Sequence, residues 1–264
     1  MAASHDETHV RDISTLTIAD AEEAGGKGAN MGELVAAKLP VPPGFVLLRD
    51  CYRDSMRSGG VDTELSTLHR EALDTVADTV ALAGRCERMQ GLVRKAGVDD
   101  TVRRLTLAAY RELGPGAVVA VRSSATGEDG ADASFAGMNA TITNVAGEDA
   151  LIEAVVRCWM SLFSPRVITY RASRGFTADP AMAVVVQQMV NSEKAGVAFT
   201  ADPSNGAQDR VVIEGAYGLG EVVVSGEVEP DTYIVAKDTL APLDVRLGHK
   251  AFKIVRGADG HDTT

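Results

Sequence analysis

The stretch VVAVRSSATGEDGADASFAGMNATITNV, residues 118–145, decides how this chain is organised. Its apolar start, Val118–Val121, predicts a short strand, and the alternation over Ala140–Val145 predicts another. Arg122, two serines and a threonine follow the first strand, ahead of an acidic, glycine-containing segment. A loop of this composition between two strands either binds an anion or only reverses the chain.

Arg122 is the residue on which that choice depends. At the end of a strand its guanidinium would be held in place, where it can bind phosphate oxygens through two parallel hydrogen bonds. Ser123, Ser124 and Thr126 could add donors. The alternative is a structural ion pair between Arg122 and one of the acids that follow it, Glu128 or Asp129.

Patterns on either side of this stretch predict a mixed α+β fold. The segment GGKGANMGELVAAKLPVPPGFVLL predicts a glycine turn, a helix from about Asn30 to Lys38 and a strand at Gly44–Leu48. Apolar residues at helical spacing between Asp62 and Leu113 predict two or three helices, broken near Gly97. Residues 148–164 predict another helix, with a second helical piece after Ser164-Pro165.

The chain changes character after residues 179–180. Short β-branched runs follow one another there, and glycine or proline separates them. Because their connections are short, the strands should be antiparallel. We therefore expect two lobes, a helix-rich lobe with a mixed sheet over residues 1–185 and a strand-rich lobe over residues 186–264.

Composition limits the function classes. The 264 residues carry a net charge of −11, which argues against a broad nucleic-acid surface. The N-terminus lacks the basic and apolar regions of a signal peptide, and no apolar run is long enough to span a membrane, so we expect a cytoplasmic protein. The cysteines Cys51, Cys86 and Cys158 are far apart, which favours reduced core thiols.

Several glycine-rich or polar segments are candidates for ligand contacts, each with a simpler alternative. GGKGAN places Lys27 between glycines near a helix start, an arrangement that can bind phosphate, although Lys27 could equally be a solvated side chain in a turn. It lacks the P-loop spacing. SFAGMNAT offers the Gly137 backbone and the Thr141 hydroxyl to a ligand, or forms a simple hairpin bend.

Two further segments could contact a nucleotide. The strand end QQMV, Gln187–Val190, could give backbone groups to the edge of a purine while Met189 and Val190 pack on its face, or it could be a buried strand with polar ends. Glu214 and Glu221 lie among glycines and are oxygen ligands of the kind that Mg²⁺ accepts, or ordinary solvated charges. The five histidines show no ligand spacing.

In this order, seven segments of the chain resemble the N-terminal nucleotide-binding domain of the phosphoenolpyruvate synthase and pyruvate phosphate dikinase family, which rifampicin phosphotransferases share. They are GGKGANMGEL, VPPGF, VRSSATGEDGADASFAG, SLFSPRVITYR, VVVQQMV, AGVAFTADP and YGLGEVVVSGEVEPDTY.

The resemblance implies an ATP-grasp fold that holds ATP and Mg²⁺ between two lobes. By their positions in the matching motifs, Lys27 and Arg122 would contact phosphates and stabilise the transferred phosphoryl group. The matching motifs imply further nucleotide contacts at Gly137, Thr141, Gln187, Gln188, Met189, Val190, Glu214 and Glu221. Of these, Glu214 and Glu221 are weaker candidates, either for the nucleotide or for the shell of the metal ion.

The resemblance also sets an expectation for the C-terminus. The sequence ends at RGADGHDTT, before the segment that supplies the family's main acidic metal ligand and its Gln-x-Arg-Pro motif, so we expect a truncated second lobe. A phosphohistidine domain, in the same parent chain or in a separate subunit, would carry the phosphoryl group onward. We therefore expect this chain alone to make no phosphoenolpyruvate.

The implied reaction of the parent enzyme converts ATP, pyruvate and water into phosphoenolpyruvate, AMP and phosphate. The alternatives are the ATP-binding domain of a rifampicin phosphotransferase and a nucleotide-binding or regulatory module without turnover.

Overall fold

A five-stranded antiparallel sheet organises the N-terminal part of the chain in the computed structural model, which describes residues 9–125, 140–257 and 262–263. The chain divides into two compact units, one ending at Met189 and the other beginning at Val190. The boundary predicted between residues 185 and 186 falls inside the strand Met182–Gln188, which pairs entirely within the first sheet.

Five strands form the sheet of the first unit. They are β1 (Val10–Asp12), β2 (Gly44–Leu47), β3 (Val118–Ala125), β4 (Thr141–Ala146) and β5 (Met182–Gln188). Their order across the sheet is β1-β2-β5-β3-β4, and all neighbouring pairs are antiparallel. The strands predicted after the VPPG segment and around residues 140–145 are confirmed.

Helices cover both faces of this sheet. They are α1 (Ala21–Ala36), α2 (Arg49–Ser58), α3 (Asp62–Asp74), α4 (Thr79–Ala96), α5 (Asp100–Glu112), α6 (Glu148–Ser161) and α7 (Pro165–Ser173). The larger core lies on one face of the sheet. There Trp159 of α6 and the nearby Phe163 pack together with apolar residues of α2 to α5 and with Val121 and Val186 of the sheet. A smaller core, which includes Ala24, lies on the other face under α1.

Local capping explains why the predicted helical region is three helices. The side chain of Asp78 accepts hydrogen bonds from the first turn of α4, and that of Asp99 does the same for α5. Gly97 ends α4 with φ of +65°, a conformation that favours glycine. The break predicted near Gly97 is therefore confirmed. Ser164 caps α7, with Pro165 at its first position, as the Ser-Pro pair indicated.

The helix predicted to start near Asn30 starts earlier in the chain: α1 runs from Ala21 to Ala36 and consists of two helical pieces joined at Gly25. Of the glycines of GGKGAN, Gly26 and Gly28 lie within the helix and not in a turn ahead of it. Only Gly25 leaves helical geometry, with φ of 70° and ψ of 164°, and it kinks α1. Gly32 is helical and lets α1 approach the preceding chain, because a Cβ there would lie 2.0 Å from the carbonyl oxygen of Leu16.

The prediction that Arg122 ends its strand is also wrong. Strand β3 continues through Ser123 and Ser124 to Ala125. The apolar run stops at Val121, but β5 pairs with β3 from Val119 to Ala125, and β4 pairs with Arg122 itself. Hydrogen bonding to neighbours on both sides therefore extends the strand beyond its apolar part.

The second unit is strand-rich, as predicted, and its four-stranded sheet is antiparallel throughout. The strand order is β6-β7-β8-β9, and β9 was not predicted. Its elements are β6 (Lys194–Phe199), β7 (Arg210–Tyr217), α8 (Glu221–Ser225), β8 (Asp231–Ala236), β9 (Pro242–Arg246), β10 (Val255–Arg256) and β11 (Asp262–Thr263).

All three cysteines are buried and unpaired, as expected for core thiols. Burial raises the pKa of Cys86 to about 11 and that of Cys158 to about 12, so these thiols stay protonated near neutral pH. In the part of the chain that the structure describes, no helix is both long enough and apolar enough to cross a membrane.

A fully buried histidine on α3 makes the stability of the first unit dependent on pH. His69 has no exposed side-chain surface. Burial, assisted by the positive charge of Arg171, lowers the pKa of His69 from 6.5 to about 4, while the carboxylate of Asp179 opposes the shift. The folded chain therefore holds a neutral imidazole at pH values where the unfolded chain binds a proton.

We expect the free energy of unfolding to fall as the pH drops from 6.5 towards 4, because protonation then favours the unfolded chain. The loss between pH 7 and pH 5 should be about 2 kcal/mol from this group. Urea unfolding of the wild type and of His69→Gln over this range measures it. Equal pH dependence in the two proteins would show that His69 does not titrate in this way.

Candidate functional site

The kink in α1 presses the start of that helix against the end of β3. Gly25 adopts backbone angles that are essentially restricted to glycine. A Cβ at Gly25 would lie 2.2 Å from Oγ of Ser124 and 2.6 Å from the carbonyl oxygen of Ala125. Glycine is therefore required here both by the backbone conformation and by the contact with β3.

Ser124 joins α1 to β3. Its fully buried hydroxyl donates to the carbonyl oxygen of Ala24 at 2.9 Å and accepts from the N–H of Gly28 at 3.4 Å. The two bonded groups lie on either side of Gly25. The serine thus bonds the polar groups that the kink leaves outside the helical pattern, and it sets the position of the segment that carries Lys27.

Lys27 lies in this segment, with a half-buried side chain. Its Nζ donates a hydrogen bond of 2.7 Å to the carbonyl oxygen of Ser123. The ammonium group is therefore held at β3, next in sequence to Arg122, although the two residues are 95 positions apart in the chain.

Arg122 lies on the face of the sheet that α1 covers, as Lys27 does. It is directly opposite Val185 of β5, and residues that face each other across antiparallel strands project to one side. Val185 belongs to the smaller core under α1 together with Ala24, so Arg122 projects to the α1 side. Thr141 of β4 is directly opposite Arg122 on its other flank and is exposed.

The charge of Arg122 is not balanced by an acid within the described residues, where no carboxylate forms an ion pair with it. Burial lowers the pKa of Arg122, but a guanidinium remains protonated at neutral pH. Glu128 and Asp129, the acids of the alternative interpretation, lie outside the described residues, as does Gly137. A half-buried cation that has no paired acid among the described residues favours an anionic ligand.

The two glutamines at the end of β5 project to opposite sides of the sheet. Gln187 is opposite Ala120, on the Arg122 side of the sheet, and its Nε2 donates to the carbonyl oxygen of Pro42 at 3.2 Å. Gln188 is opposite Val119 and projects to the other side, over the larger core. Only Gln187 therefore shares a face with Lys27 and Arg122.

The backbone N–H groups at this strand end are already used. Gln188 donates to the carbonyl oxygen of Pro43 at 2.9 Å, and Met189 donates to that of Val118 at 2.8 Å. Val190 begins the second unit, and 57% of it is exposed. A purine could meet carbonyl groups here, but not the N–H of Gln188 or Met189.

The two acidic candidates lie in the second unit. Glu214 is half-buried on β7, on the same side as the buried Val212 and Ala216. Glu221 is exposed at the start of α8. Among the described residues, no three His, Cys, Asp or Glu side chains come together as a metal-binding group.

The second unit also contains a charged cluster that was not predicted from the sequence. Asp231 on β8 accepts hydrogen bonds from Lys250 Nζ and, at 3.0 Å, from the N–H of Gly248. Lys250 also lies 5.9 Å from the ring centre of Tyr217. The hydrogen bond from Lys250 is the main reason why the pKa of Asp231 is lowered. Because the pair is separated by 19 residues without a local pattern, no sequence signal could have found it.

Comparison with known proteins agrees with this arrangement of motifs. A family model described as "Pyruvate phosphate dikinase, AMP/ATP-binding domain" matches residues 21–264. A protein named probable phosphoenolpyruvate synthase from Archaeoglobus fulgidus is 44% identical over 254 residues, which cover 92% of this chain and 33% of that protein. A protein of the same name from Methanocaldococcus jannaschii is 43% identical over 254 residues, covering 94% of this chain and 21% of that protein.

A third relative, named phosphoenolpyruvate synthase and found in Aeropyrum pernix, is 40% identical over 239 residues, or 86% of this chain and 28% of that protein. The chain thus spans between 21% and 33% of the length of these relatives. The family match covers the kinked helix α1, the sheet strands β2 to β5 and the whole second unit. The chain belongs to the pyruvate phosphate dikinase AMP/ATP-binding domain family.

Proposed function

We propose that this chain binds MgATP as the nucleotide-binding part of a phosphotransferase of the phosphoenolpyruvate synthase kind. The observation that carries the proposal is the meeting of Lys27, Arg122 and Thr141 on one face of the first sheet. Two cations and a hydroxyl in this arrangement suit a polyphosphate. The match to a family described as an AMP/ATP-binding domain supports ATP as the polyphosphate.

In this proposal the chain contributes electrostatics and positioning to phosphoryl transfer. Lys27 and Arg122 would bind phosphate oxygens and stabilise the charge that develops on the transferred group. Arg122 can do so through two parallel hydrogen bonds, whereas Lys27 acts as a point charge. Neither residue acts as a general acid or base in this proposal.

We propose an ATP-grasp arrangement, supported by the two antiparallel sheets and the family match. Gly137 and Thr141 would contact the phosphates, and Gln187 to Val190 would lie on the adenine side. Glu214 and Glu221 are proposed as weaker contacts to the nucleotide or to Mg²⁺, which would supply charge neutralisation of the phosphates when bound.

The parent enzyme would transfer a phosphoryl group from ATP to a histidine on another domain, in the same chain or in a separate subunit. The names of the relatives support pyruvate as the final acceptor. The overall reaction would then convert ATP, pyruvate and water into phosphoenolpyruvate, AMP and phosphate.

Calorimetric titration of the purified chain with MgATP, MgADP and AMP tests the nucleotide site. We expect saturable binding that weakens in that order, because the cations of the proposed site act on the phosphates. Equal affinities for ATP and AMP would contradict a phosphate site at Lys27 and Arg122. Absence of saturable binding by any of the three would contradict the nucleotide-binding proposal as a whole.

A further inference from the structure

A cleft in the first unit lies between α2 and α3 and has a volume of about 250 Å³. Its base is closed by the buried Phe163 and Pro180. An apolar cavity of about 150 Å³ is enough for one benzene molecule, so this cleft can hold a ring with a short substituent. Its size therefore fits a small molecule rather than a nucleotide.

The floor of the cleft is mostly apolar and buried. Met56 of α2, Leu65 of α3 and Phe163 are each less than 5% exposed. These residues belong to the larger core, together with Val121 and Val186, on the side of the sheet opposite α1. The cleft is therefore separated by the sheet from Lys27 and Arg122, and it does not depend on the function proposed for them.

One buried polar side chain on the floor lacks a hydrogen bond. His69 lines the cleft and is fully buried, and neither ring nitrogen has a hydrogen-bond partner within the described residues. Its Nδ1 lies 3.6 Å from Oδ1 of Asp179, outside hydrogen-bonding distance. Buried polar groups normally have partners, so the unpartnered Nε2 of a histidine that lines a cleft points to a ligand that supplies one.

The environment of His69 defines what that ligand must offer. The nearby Asp179 carboxylate favours the imidazole proton on Nδ1, which leaves Nε2 as an acceptor. The ligand must therefore donate a hydrogen bond. Tyr52, also on the floor, keeps its proton because burial and Asp179 raise its pKa.

The rim of the cleft disfavours anions. Its two arginines are already paired within α2, Arg57 with Asp54 at 2.6 Å and Arg53 with Asp50 at 3.5 Å. Its carboxylates, Asp62 and Asp179, pair with no Lys or Arg in the described part of the chain. A charged group at the apolar floor would also lose its hydration.

We propose that this cleft binds a small uncharged molecule that has an apolar ring and a hydroxyl group, with the hydroxyl donating to His69. Phosphates and carboxylates do not meet these requirements. The cleft is thus a second ligand site, of a chemical class different from that of the phosphate site.

Benzyl alcohol and benzoate form a matched pair of probes, since they share a ring and differ in charge. Titration of the wild-type chain, followed through the NMR signals of the His69 ring, should show saturable shifts with benzyl alcohol at about millimolar affinity, as expected for a ligand of this size. Benzoate should bind at least about tenfold more weakly. Unchanged His69 signals with benzyl alcohol, or equal affinity for benzoate, would overturn the proposal.

Two variants on α3 locate the site. Ser66 lines the cleft, whereas the neighbouring Thr67 is exposed and does not. Ser66→Phe should fill the cleft and weaken benzyl alcohol binding at least about tenfold, and Thr67→Phe should leave it unchanged. Equal binding by both variants would exclude this cleft. If Ser66→Phe does not fold, the His69 signals of the wild type decide the question.

Discussion

Replacing Arg122 by alanine is expected to weaken MgATP binding by about 10- to 100-fold. The reason is the loss of a charge-assisted, two-pronged contact to phosphate, worth about 1.5 to 3 kcal/mol. Arg122 already lies half-buried on the α1 face of the sheet, beside Thr141. Arg122→Lys should give an intermediate affinity, because it keeps the charge but not the planar pair of donors. Calorimetric titration measures both changes.

Lys27→Ala should also reduce the affinity, since it removes the second cation of the site. The ammonium of Lys27 is bonded to the carbonyl oxygen of Ser123, so the lost affinity combines a missing phosphate contact with a less restrained α1. Arg104→Ala and Lys95→Ala are matched controls on exposed helix positions and should bind ATP normally. Unchanged affinity in Arg122→Ala and Lys27→Ala would contradict the phosphate-site assignment.

Replacing Gly25 by alanine is expected to destabilise the first unit by about 3 kcal/mol or more. Two effects add up: the backbone angles of Gly25 cost a non-glycine residue about 1 to 3 kcal/mol, and the added methyl group would overlap Ser124 and the Ala125 backbone. Relief of this overlap requires α1 to move away from β3. Urea unfolding would show the loss of stability, and ATP titration would show whether Lys27 has been displaced.

Gly84→Ala is the matched control for this change. Gly84 lies in the exposed part of α4, where an added Cβ would contact nothing within 4 Å. Alanine there should stabilise the protein by about 1 kcal/mol, because it favours the helix over the unfolded chain. If Gly25→Ala stayed within about 0.5 kcal/mol of the wild type, the kink and its contact with β3 would not have the rigidity that the structure indicates.

Much of the fold could be predicted because the patterns that define it are local. The helices between Asp62 and Glu112 follow from the spacing of apolar residues and from caps such as Asp99. The antiparallel second unit follows from short runs separated by glycine or proline. The two errors, the start of α1 and the end of β3, both occur where distant segments meet.

These errors share a physical cause. The length of β3 depends on β4 and β5, which pair with it beyond Val121 and so keep polar residues in the strand. The helical state of the GGKG segment depends on Ser124, which bonds the groups on either side of Gly25. Neither partner is close in sequence, so local preference could not reveal the outcome.

The sequence by itself determined the family, the α+β class and the residue types of the candidate phosphate site, because ordered motifs and periodicity depend only on nearby residues. Only the tertiary structure decided that Lys27 and Arg122 share one face of the sheet and that Gln187 and Gln188 project to opposite sides. It also decided that His69 lines a cleft with an Nε2 that has no hydrogen-bond partner among the described residues. Strand register and helix packing set these relations, and both arise from contacts between residues far apart in the chain.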